Sequence, residues 1–250
     1  MSAASTDRGL LTPENCGVAF IDHQPQMFFG VANIDRQALL NNVLVLAKAA
    51  RIFAVPVILT AVKSKAFSGN ITPQLRDLFP VLTAIERTSL NAWDSKDFSA
   101  AVKAIGRKNF LLAALWSETS LAFPAVQMLE EGYGIYVVED ASGGTSQVAH
   151  RAAIRRIEQA GGVSLTALQV LLEFQRNWAR QEHDEEVMGV IKEHCGAYGR
   201  SVEYAETMVH QTPASRSCVE GPRGEGGDLR ANEPRNECIG IMTTKVAPKF

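Results

Sequence analysis

The segment from Asn109 to Gly132 constrains the fold more than any other part of the chain. Residues 110–116 are a continuous apolar run of strand length, and apolar residues at helical spacing follow as far as Gly132. Continuous apolar runs are typical of parallel strands that are buried on both faces. The pattern therefore predicts a buried strand that leads directly into a helix, with four polar residues, Ser117 to Ser120, at the junction.

Strand and helix patterns alternate about six times between residues 10 and 208. The predicted strands are 17–22, 56–62, 83–88, 110–116, 135–140 and 163–167. Helical patterns occupy 35–54, 73–79, 96–105, the segment that ends at Gly132, 147–160, 168–178 and 185–194. Such alternation predicts an α/β protein with a three-layer, doubly wound (Rossmann-like) and mostly parallel sheet of six strands.

The composition changes near residue 209. Residues 10–208 show no internal repeat and no linker, so we assign them to one domain. Residues 211–237 are rich in glycine, proline and charge and have almost no apolar side chains to bury. We therefore predict a disordered tail over 209–250.

The composition also argues against several classes of partner. The chain has a formal net charge of −2 and no basic excess, which disfavours nucleic acid, and no apolar run approaches the length of a bilayer. The N-terminus carries no apolar signal segment, and the four cysteines show no CxxC spacing. The five histidines form no HxH or HxxxH pair. We expect a cytoplasmic protein with no metal, no cofactor, no nucleic acid partner and no membrane contact.

Polar side chains at three predicted strand ends form the candidate catalytic set. Asp22 follows the first strand, Arg87 lies in the third and Ser120 follows the fourth. The first and fourth strands flank the switch point of a doubly wound sheet, so Asp22 and Ser120 should converge there. Each residue also has a structural interpretation: Ser120 or Asp22 as a helix cap, and Arg87 as a surface charge or a structural partner of Asp22.

Six further residues are candidates for contact with a small-molecule substrate. They are Gln24, Asn91, Trp93, Trp116, Ser117 and Thr119. The N–H groups of Thr119 and Ser120 lie at the start of a predicted helix, where they could stabilise an oxyanion. Tryptophans near strand ends often serve packing instead, and polar residues at a helix start often satisfy the backbone.

Six stretches of this chain carry a resemblance to a known family. They are FIDHQ at 20–24, NNVLVLAKAARIFAVPVILT at 41–60, LNAWDSKDF at 90–98, SETSLAFPAVQMLEEGY at 117–133, VVEDASGG at 137–144 and HRAAIRRIEQAGG at 150–162. Between about residues 11 and 200, the chain resembles the isochorismatase-like hydrolases, also called the cysteine hydrolase family, and specifically the ycaC-type subgroup.

The resemblance implies a six-stranded parallel α/β domain and a catalytic triad of Asp, Lys or Arg, and Cys. These positions fall on Asp22, Arg87 and Ser120, so serine replaces the usual nucleophilic cysteine. The resemblance also implies a small non-peptide substrate such as an amide, and a homo-oligomer of the ring-shaped, octameric kind formed by ycaC-type relatives. A cis peptide bond is expected at Trp116–Ser117.

Serine at position 120 leaves three functions open. A hydroxyl is a much weaker acid than a thiol, and serine nucleophiles normally need a histidine or lysine base. His23 should point away from the side that Asp22 faces. In the first, the chain is a hydrolase in which Ser120 attacks, Asp22 acts as acid and base, and Arg87 orients Asp22. In the second, it is an isochorismatase-type enzyme in which Asp22 protonates a vinyl ether. In the third, it is a catalytically silent oligomeric binding or scaffold protein.

Overall fold

The computed structural model describes residues 9–209, which contain an open sheet of six strands. The strands are β1 (Cys16–Ile21), β2 (Val57–Val62), β3 (Ile85–Arg87), β4 (Asn109–Ala114), β5 (Gly134–Val138) and β6 (Val163–Leu165). Their order across the sheet is β3-β2-β1-β4-β5-β6, and every neighbouring pair is parallel. The predicted doubly wound α/β fold is confirmed, with a fully parallel sheet.

Helices connect the strands on both sides of the sheet. The α-helices within residues 9–209 are α1 (Pro25–Phe29), α2 (Arg36–Ile52), α3 (Pro73–Leu78), α4 (Lys96–Ile105), α5 (Ala122–Glu130), α6 (Gln147–Gln159), α7 (Ala167–Gln175), α8 (Asp184–His194) and α9 (Gly196–Tyr204). The sequence patterns did not predict α1 and α9. A five-residue π-helical turn, Ser117–Leu121, joins β4 to α5 and is called the junction turn below.

Several element ends differ from the predicted ones. β3 and β6 have three residues each, because they are the edge strands of the sheet and each has only one neighbour. β4 ends at Ala114, where its pairing with β1 ends, so the last two residues of the apolar run, Leu115 and Trp116, lie beyond the strand. Leu115 forms an isolated parallel bridge with Gly143 instead.

Two apolar layers cover the two faces of the sheet. Side chains of β4 alternate between them: Leu111 and Ala113 join the cluster that contains α2, α7 and α8 residues, and Leu112 and Ala114 join the cluster of α4, α5 and α6. All residues of β1 and β4 are buried. Because both faces of the sheet are covered, functional side chains are accommodated at the strand ends.

One prediction falls almost entirely outside the described part of the chain. Residues 1–8 and 210–250 are not described, so the predicted tail over 209–250 falls outside the structure except for Val209, which ends a short π-helical turn. In residues 9–209, no helix is both long enough and apolar enough to cross a bilayer.

Candidate active site

The three predicted catalytic side chains lie at the carboxyl ends of strands. Asp22 directly follows β1, Arg87 is the last residue of β3, and Ser120 lies in the junction turn after β4. β1 and β4 are neighbours at the centre of the sheet, and the strand order reverses between them. This is the switch point at which doubly wound sheets bind ligands.

One carboxylate oxygen joins the three side chains. The Ser120 hydroxyl donates to Asp22 Oδ2 at 2.7 Å, and Arg87 Nη2 donates to the same oxygen. Asp22 is fully buried and Ser120 is 2 % exposed. Asp22 Oδ1 is also buried and has no hydrogen-bond partner within residues 9–209. The predicted convergence of Asp22 and Ser120 is confirmed, while their catalytic roles stay a prediction.

Arg87 is directed at Asp22 by the loop that follows β3. Its Nη1 donates to the carbonyl oxygens of Ser89 and Leu90, and its side chain is 2 % exposed, so it is not a surface charge. Burial raises the pKa of the Asp22 carboxyl above its ordinary value, and the Arg87 charge and the Ser120 hydrogen bond oppose that rise only in part. The site therefore pairs a buried cation with an unusually basic carboxylate.

His23 is not positioned to be the base of Ser120. The chain turns sharply at Asp22, which has a left-handed backbone with a φ of 60°. The His23 ring then lies beside Phe20, and its Nε2–H donates to the Ala141 carbonyl at 3.1 Å. Burial lowers the pKa of His23 to about 4, so the ring is neutral at pH 7.

The junction turn differs from the expectation in two respects. The cis peptide bond is Leu115–Trp116, so the predicted position, Trp116–Ser117, was wrong by one residue. The N–H groups of Thr119 and Ser120, predicted as oxyanion donors, both donate to the Trp116 carbonyl, at 3.1 and 2.9 Å. In this conformation the turn therefore uses both groups for its own backbone.

Gln24 and Trp116 connect the loops around the triad. The Gln24 side chain accepts from the Val62 N–H and donates to the Val62 carbonyl, both at 3.1 Å, and so ties the segment after β1 to β2. Trp116 Nε1 donates to the Met27 carbonyl at 2.9 Å, and the indole ring packs against Gly30. Both side chains therefore fix the backbone segments that surround the site.

The side chains of Asn91 and Trp93 form hydrogen bonds with residues in α5 or directly after it. Asn91 Oδ1 accepts from the Trp93 N–H at 3.0 Å, and its Nδ2 donates to Asp94 and Gln127. Trp93 Nε1 donates to Glu131 at 2.6 Å. Neither side chain is hydrogen-bonded to Asp22, Arg87 or Ser120, so the structure does not bring these two candidates into the triad.

Ser117 contacts a residue that the sequence patterns did not single out. Its hydroxyl lies 2.8 Å from Nδ1 of His150 on α6. His150 shares the buried face of α6 with Ala153, Ile154 and Ile157. The sequence carried one signal for this contact: a histidine at helical spacing with three apolar residues. Such a histidine is buried with them, and a buried polar side chain needs a hydrogen-bond partner.

A surface cavity of about 320 Å³ lies beside the carboxyl ends of β2 and β3, and Arg87 is the member of the triad that lines it. Its lining includes Arg87 and two lysines that follow β2, Lys63 and Lys65, together with Glu86. Across the described part of the chain, no group of three or more His, Cys, Asp or Glu side chains is placed to hold a metal ion.

Comparison with known families gives a match over most of this domain. Residues 17–169 match the model of the Isochorismatase domain. The probable hydrolase YcaC of Escherichia coli is 33 % identical over 202 residues, which are 80 % of this chain and 96 % of that protein.

Two solved structures share the fold and about a third of the sequence. YcaC from Pseudomonas aeruginosa, solved with hexane-2,5-diol and covalent acrylamide, is 34 % identical with a TM-score of 0.77; the match covers 81 % of this chain and all of that one. The Escherichia coli YcaC gene product, described as an octameric hydrolase of unknown specificity, is 33 % identical with a TM-score of 0.76, over 79 % and 97 % of the two chains.

Proposed function

The chain belongs to the isochorismatase family, and we propose that it is a hydrolase that cleaves an amide or similar C–N bond in a small non-peptide substrate. The observation that carries this proposal is the shared oxygen, Asp22 Oδ2, which receives hydrogen bonds from both Ser120 and Arg87. A hydroxyl, a proton acceptor and a cation in contact at the switch point support acyl transfer at this site.

We propose one role for each member of the triad, supported by these contacts. Ser120 Oγ attacks the substrate carbonyl carbon, and its proton passes to Asp22 along the existing 2.7 Å hydrogen bond. Asp22 then gives that proton to the leaving nitrogen as the C–N bond breaks, and water hydrolyses the acyl-serine. Arg87 orients Asp22 and balances its charge throughout the cycle. Serine thereby takes the place that cysteine occupies in the family.

Burial of Asp22 also favours a second candidate, in which the same carboxyl acts first as an acid. Because burial raises its pKa, Asp22 holds a proton at higher pH than an ordinary aspartate does. A protonated Asp22 could protonate a vinyl ether, as in isochorismatase-type hydrolysis, with no bond to Ser120. The two candidates have opposite pH dependence.

The assembly we propose is a homo-oligomer. A relative that matches 79 % of this chain is described as octameric. Three exposed aromatic or aliphatic side chains, Phe29, Phe67 and Leu90, follow β1, β2 and β3 and so surround the carboxyl edge of the sheet. We propose that another subunit covers this rim, since exposed apolar side chains that share one edge can form part of an interface.

Turnover of a panel of small amides and vinyl ethers tests the proposal. We expect C–N cleavage by the wild type, loss of cleavage in Asp22→Asn and Ser120→Ala, and no change in the surface control Ser201→Ala. Ser120→Cys tests whether the site is intact: a gain of amide turnover supports the assigned geometry. Absence of turnover by folded wild type and by folded Ser120→Cys would contradict the hydrolase and favour the silent scaffold.

A further inference from the structure

A second relay of polar side chains lies at the start of the junction turn. The Ser117 hydroxyl is 2.8 Å from His150 Nδ1, and His150 Nε2 is 3.7 Å from Glu139 Oε1. Ser117 is fully buried and His150 is nearly so. A hydroxyl, an imidazole and a carboxylate therefore lie one after another in space. The hydroxyl belongs to Ser117, three residues before Ser120 in the chain.

Each member of this relay is held by a different element. The Ser117 N–H donates to the Gly143 carbonyl at 2.8 Å, which fixes the first residue of the junction turn. His150 lies on the first turns of α6, whose N-cap Ser146 accepts from the Ala149 N–H at 3.0 Å. Glu139 Oε2 accepts from the Ser164 hydroxyl at 2.9 Å, which leaves Oε1 facing the imidazole. The relay is thus preorganised by the fold.

The position of Glu139 determines which ring nitrogen of His150 carries the proton. A carboxylate near Nε2 favours a proton on that nitrogen, because only the N–H form is attracted to it. Nδ1 then keeps its lone pair and accepts a hydrogen bond from the Ser117 hydroxyl. This tautomer gives His150 the position of a base toward Ser117.

His150 is also neutral at physiological pH. Burial lowers its pKa below the ordinary value, and the nearby carboxylates of Glu139 and Glu118 oppose that change only in part. Glu118 is held on its side of the ring by the Thr145 N–H, at 3.2 Å, and by the Thr145 hydroxyl. A neutral imidazole between two carboxylates can accept a proton, because both carboxylates stabilise the imidazolium that forms.

The loop above the relay is thin and closely packed. A Cβ atom added at Gly144 would lie 2.9 Å from His150 Cβ and 3.1 Å from Glu118 Oε2. Residues 145 and 146 of the same loop are exposed to solvent. The relay therefore lies beneath a loop that contacts solvent, and its reaction with a reagent requires that this loop move.

Ser117 has the kind of partner that Ser120 lacks. Ser120 is hydrogen-bonded to a carboxylate, whereas serine nucleophiles normally depend on a histidine or lysine base. We propose that Ser117, with His150 as its base and Glu139 as a positioning residue, is a second acyl-accepting hydroxyl that hydrolyses activated esters independently of Ser120. This proposal does not rest on the amide hydrolase assigned above.

The chemistry of this relay is that of acyl transfer. Ser117 Oγ bonds to the acyl carbon while its proton moves to His150 Nδ1. The ester C–O bond breaks, and the leaving oxygen takes the proton from Nδ1. Water then attacks the acyl-Ser117 ester with His150 again as the base, which releases a carboxylic acid and restores the hydroxyl.

A fluorophosphonate probe, with peptide mapping by mass spectrometry, locates the reactive hydroxyl in the full-length protein. We expect an adduct on Ser117 that persists in Ser120→Ala and is lost in Ser117→Ala. Removing the base in His150→Asn should slow labelling at least about 100-fold, the lower end of general-base effects. The control His183→Asn, at a partly exposed histidine outside the relay, should label at the wild-type rate.

Two results would overturn the proposal. The first is folded wild-type protein that acquires no adduct on Ser117, whether or not Ser120 is labelled; since the two adducts are mapped separately, failure here is distinct from failure of the Ser120 mechanism. The second is an NMR tautomer measurement on ¹⁵N-histidine-labelled wild type that finds the proton on Nδ1 of His150. Glu139→Gln should shift that equilibrium away from Nε2–H, because the carboxylate charge that favours this tautomer is then absent.

Discussion

At the scale of single residues, the buried contact between Asp22 and Arg87 bears on stability. Both side chains are almost completely withdrawn from water, so neither charge is compensated by solvent. Desolvation of two charges can cost as much as their attraction returns, and the net contribution of such a pair to stability is small. Removal of one partner is different, because the other charge then stays buried without compensation.

Asp22→Asn should therefore lower the free energy of unfolding by about 3–5 kcal/mol at pH 8. Urea denaturation at equilibrium measures this change. Asp77→Asn is the matched control, since Asp77 forms an exposed ion pair with Arg76 and its loss should change stability by no more than about 1 kcal/mol. Equal effects of the two substitutions would contradict the assigned burial of the Asp22–Arg87 pair.

The raised pKa of Asp22 predicts where activity changes with pH. As a base, Asp22 must be ionised, so kcat/KM should rise with pH through a pKa above the ordinary 3.8 of an aspartate. As an acid toward a vinyl ether, Asp22 must be protonated, and kcat/KM should fall as pH rises through the same value. A pH–rate profile distinguishes the two mechanisms, and a profile with no inflection above 3.8 would contradict both.

Among the elements, the sequence predicted those whose pattern is local and long. The apolar run before Ala114 and the helical spacing of α2, α4 and α6 were sufficient to place them. The five-residue helix α1 was missed because so short a segment has little periodicity, and its Trp116 contact comes from a distant part of the chain.

The candidate site was predictable in its strand-end positions and less so in its contacts. The topology rule brought Asp22 to Ser120 because it depends only on strand order. The Ser117–His150 contact joins two elements whose relative placement follows from packing of α6 against the junction turn, and no local pattern records it. The position of the cis bond was expected from the resemblance alone, and the bond lies one residue earlier, at Leu115–Trp116.

Two glycine substitutions test packing at the level of elements. A Cβ at Gly30, the C-cap of α1, would lie 2.5 Å from the Trp116 indole, so Gly30→Ala should reduce stability by about 1–3 kcal/mol. Gly189 lies within α8 with no atom within 4 Å of an added Cβ, so Gly189→Ala should raise stability by about 0.5–1 kcal/mol. Thermal unfolding compares the pair; a stable Gly30→Ala would contradict the close approach of α1 to the junction turn.

At the scale of the whole molecule, the residues that pack the sheet are separate from the residues of the candidate site. Two apolar layers enclose β1 and β4, and the triad lies at the carboxyl ends of β1, β3 and β4. The exposed rim of Phe29, Phe67 and Leu90 follows β1, β2 and β3 at that same edge. Assembly through this edge would bring a second subunit close to the site.

Analytical ultracentrifugation should therefore find a mass several times that of the single chain. Phe29→Asp should reduce that mass, because a charge at the rim would be buried by a partner subunit. Val81→Asp is the control: Val81 is 90 % exposed but precedes β3, at the opposite edge of the sheet. A monomeric wild type, or equal effects of the two substitutions, would contradict assembly through the carboxyl edge.

The central pairing of the sheet also has a consequence for synthesis of the protein. Cys16 of β1 pairs with Asn109 of β4, so one side of β1 has no partner until β4 has left the ribosome. At the translation rates of bacterial and eukaryotic ribosomes, this delay is on the order of ten seconds. Throughout it, the nascent chain carries an apolar strand with an open edge, which is a template for intermolecular pairing. Chaperones that shield such edges should therefore matter most for this chain while the segment between β2 and β4 is being translated.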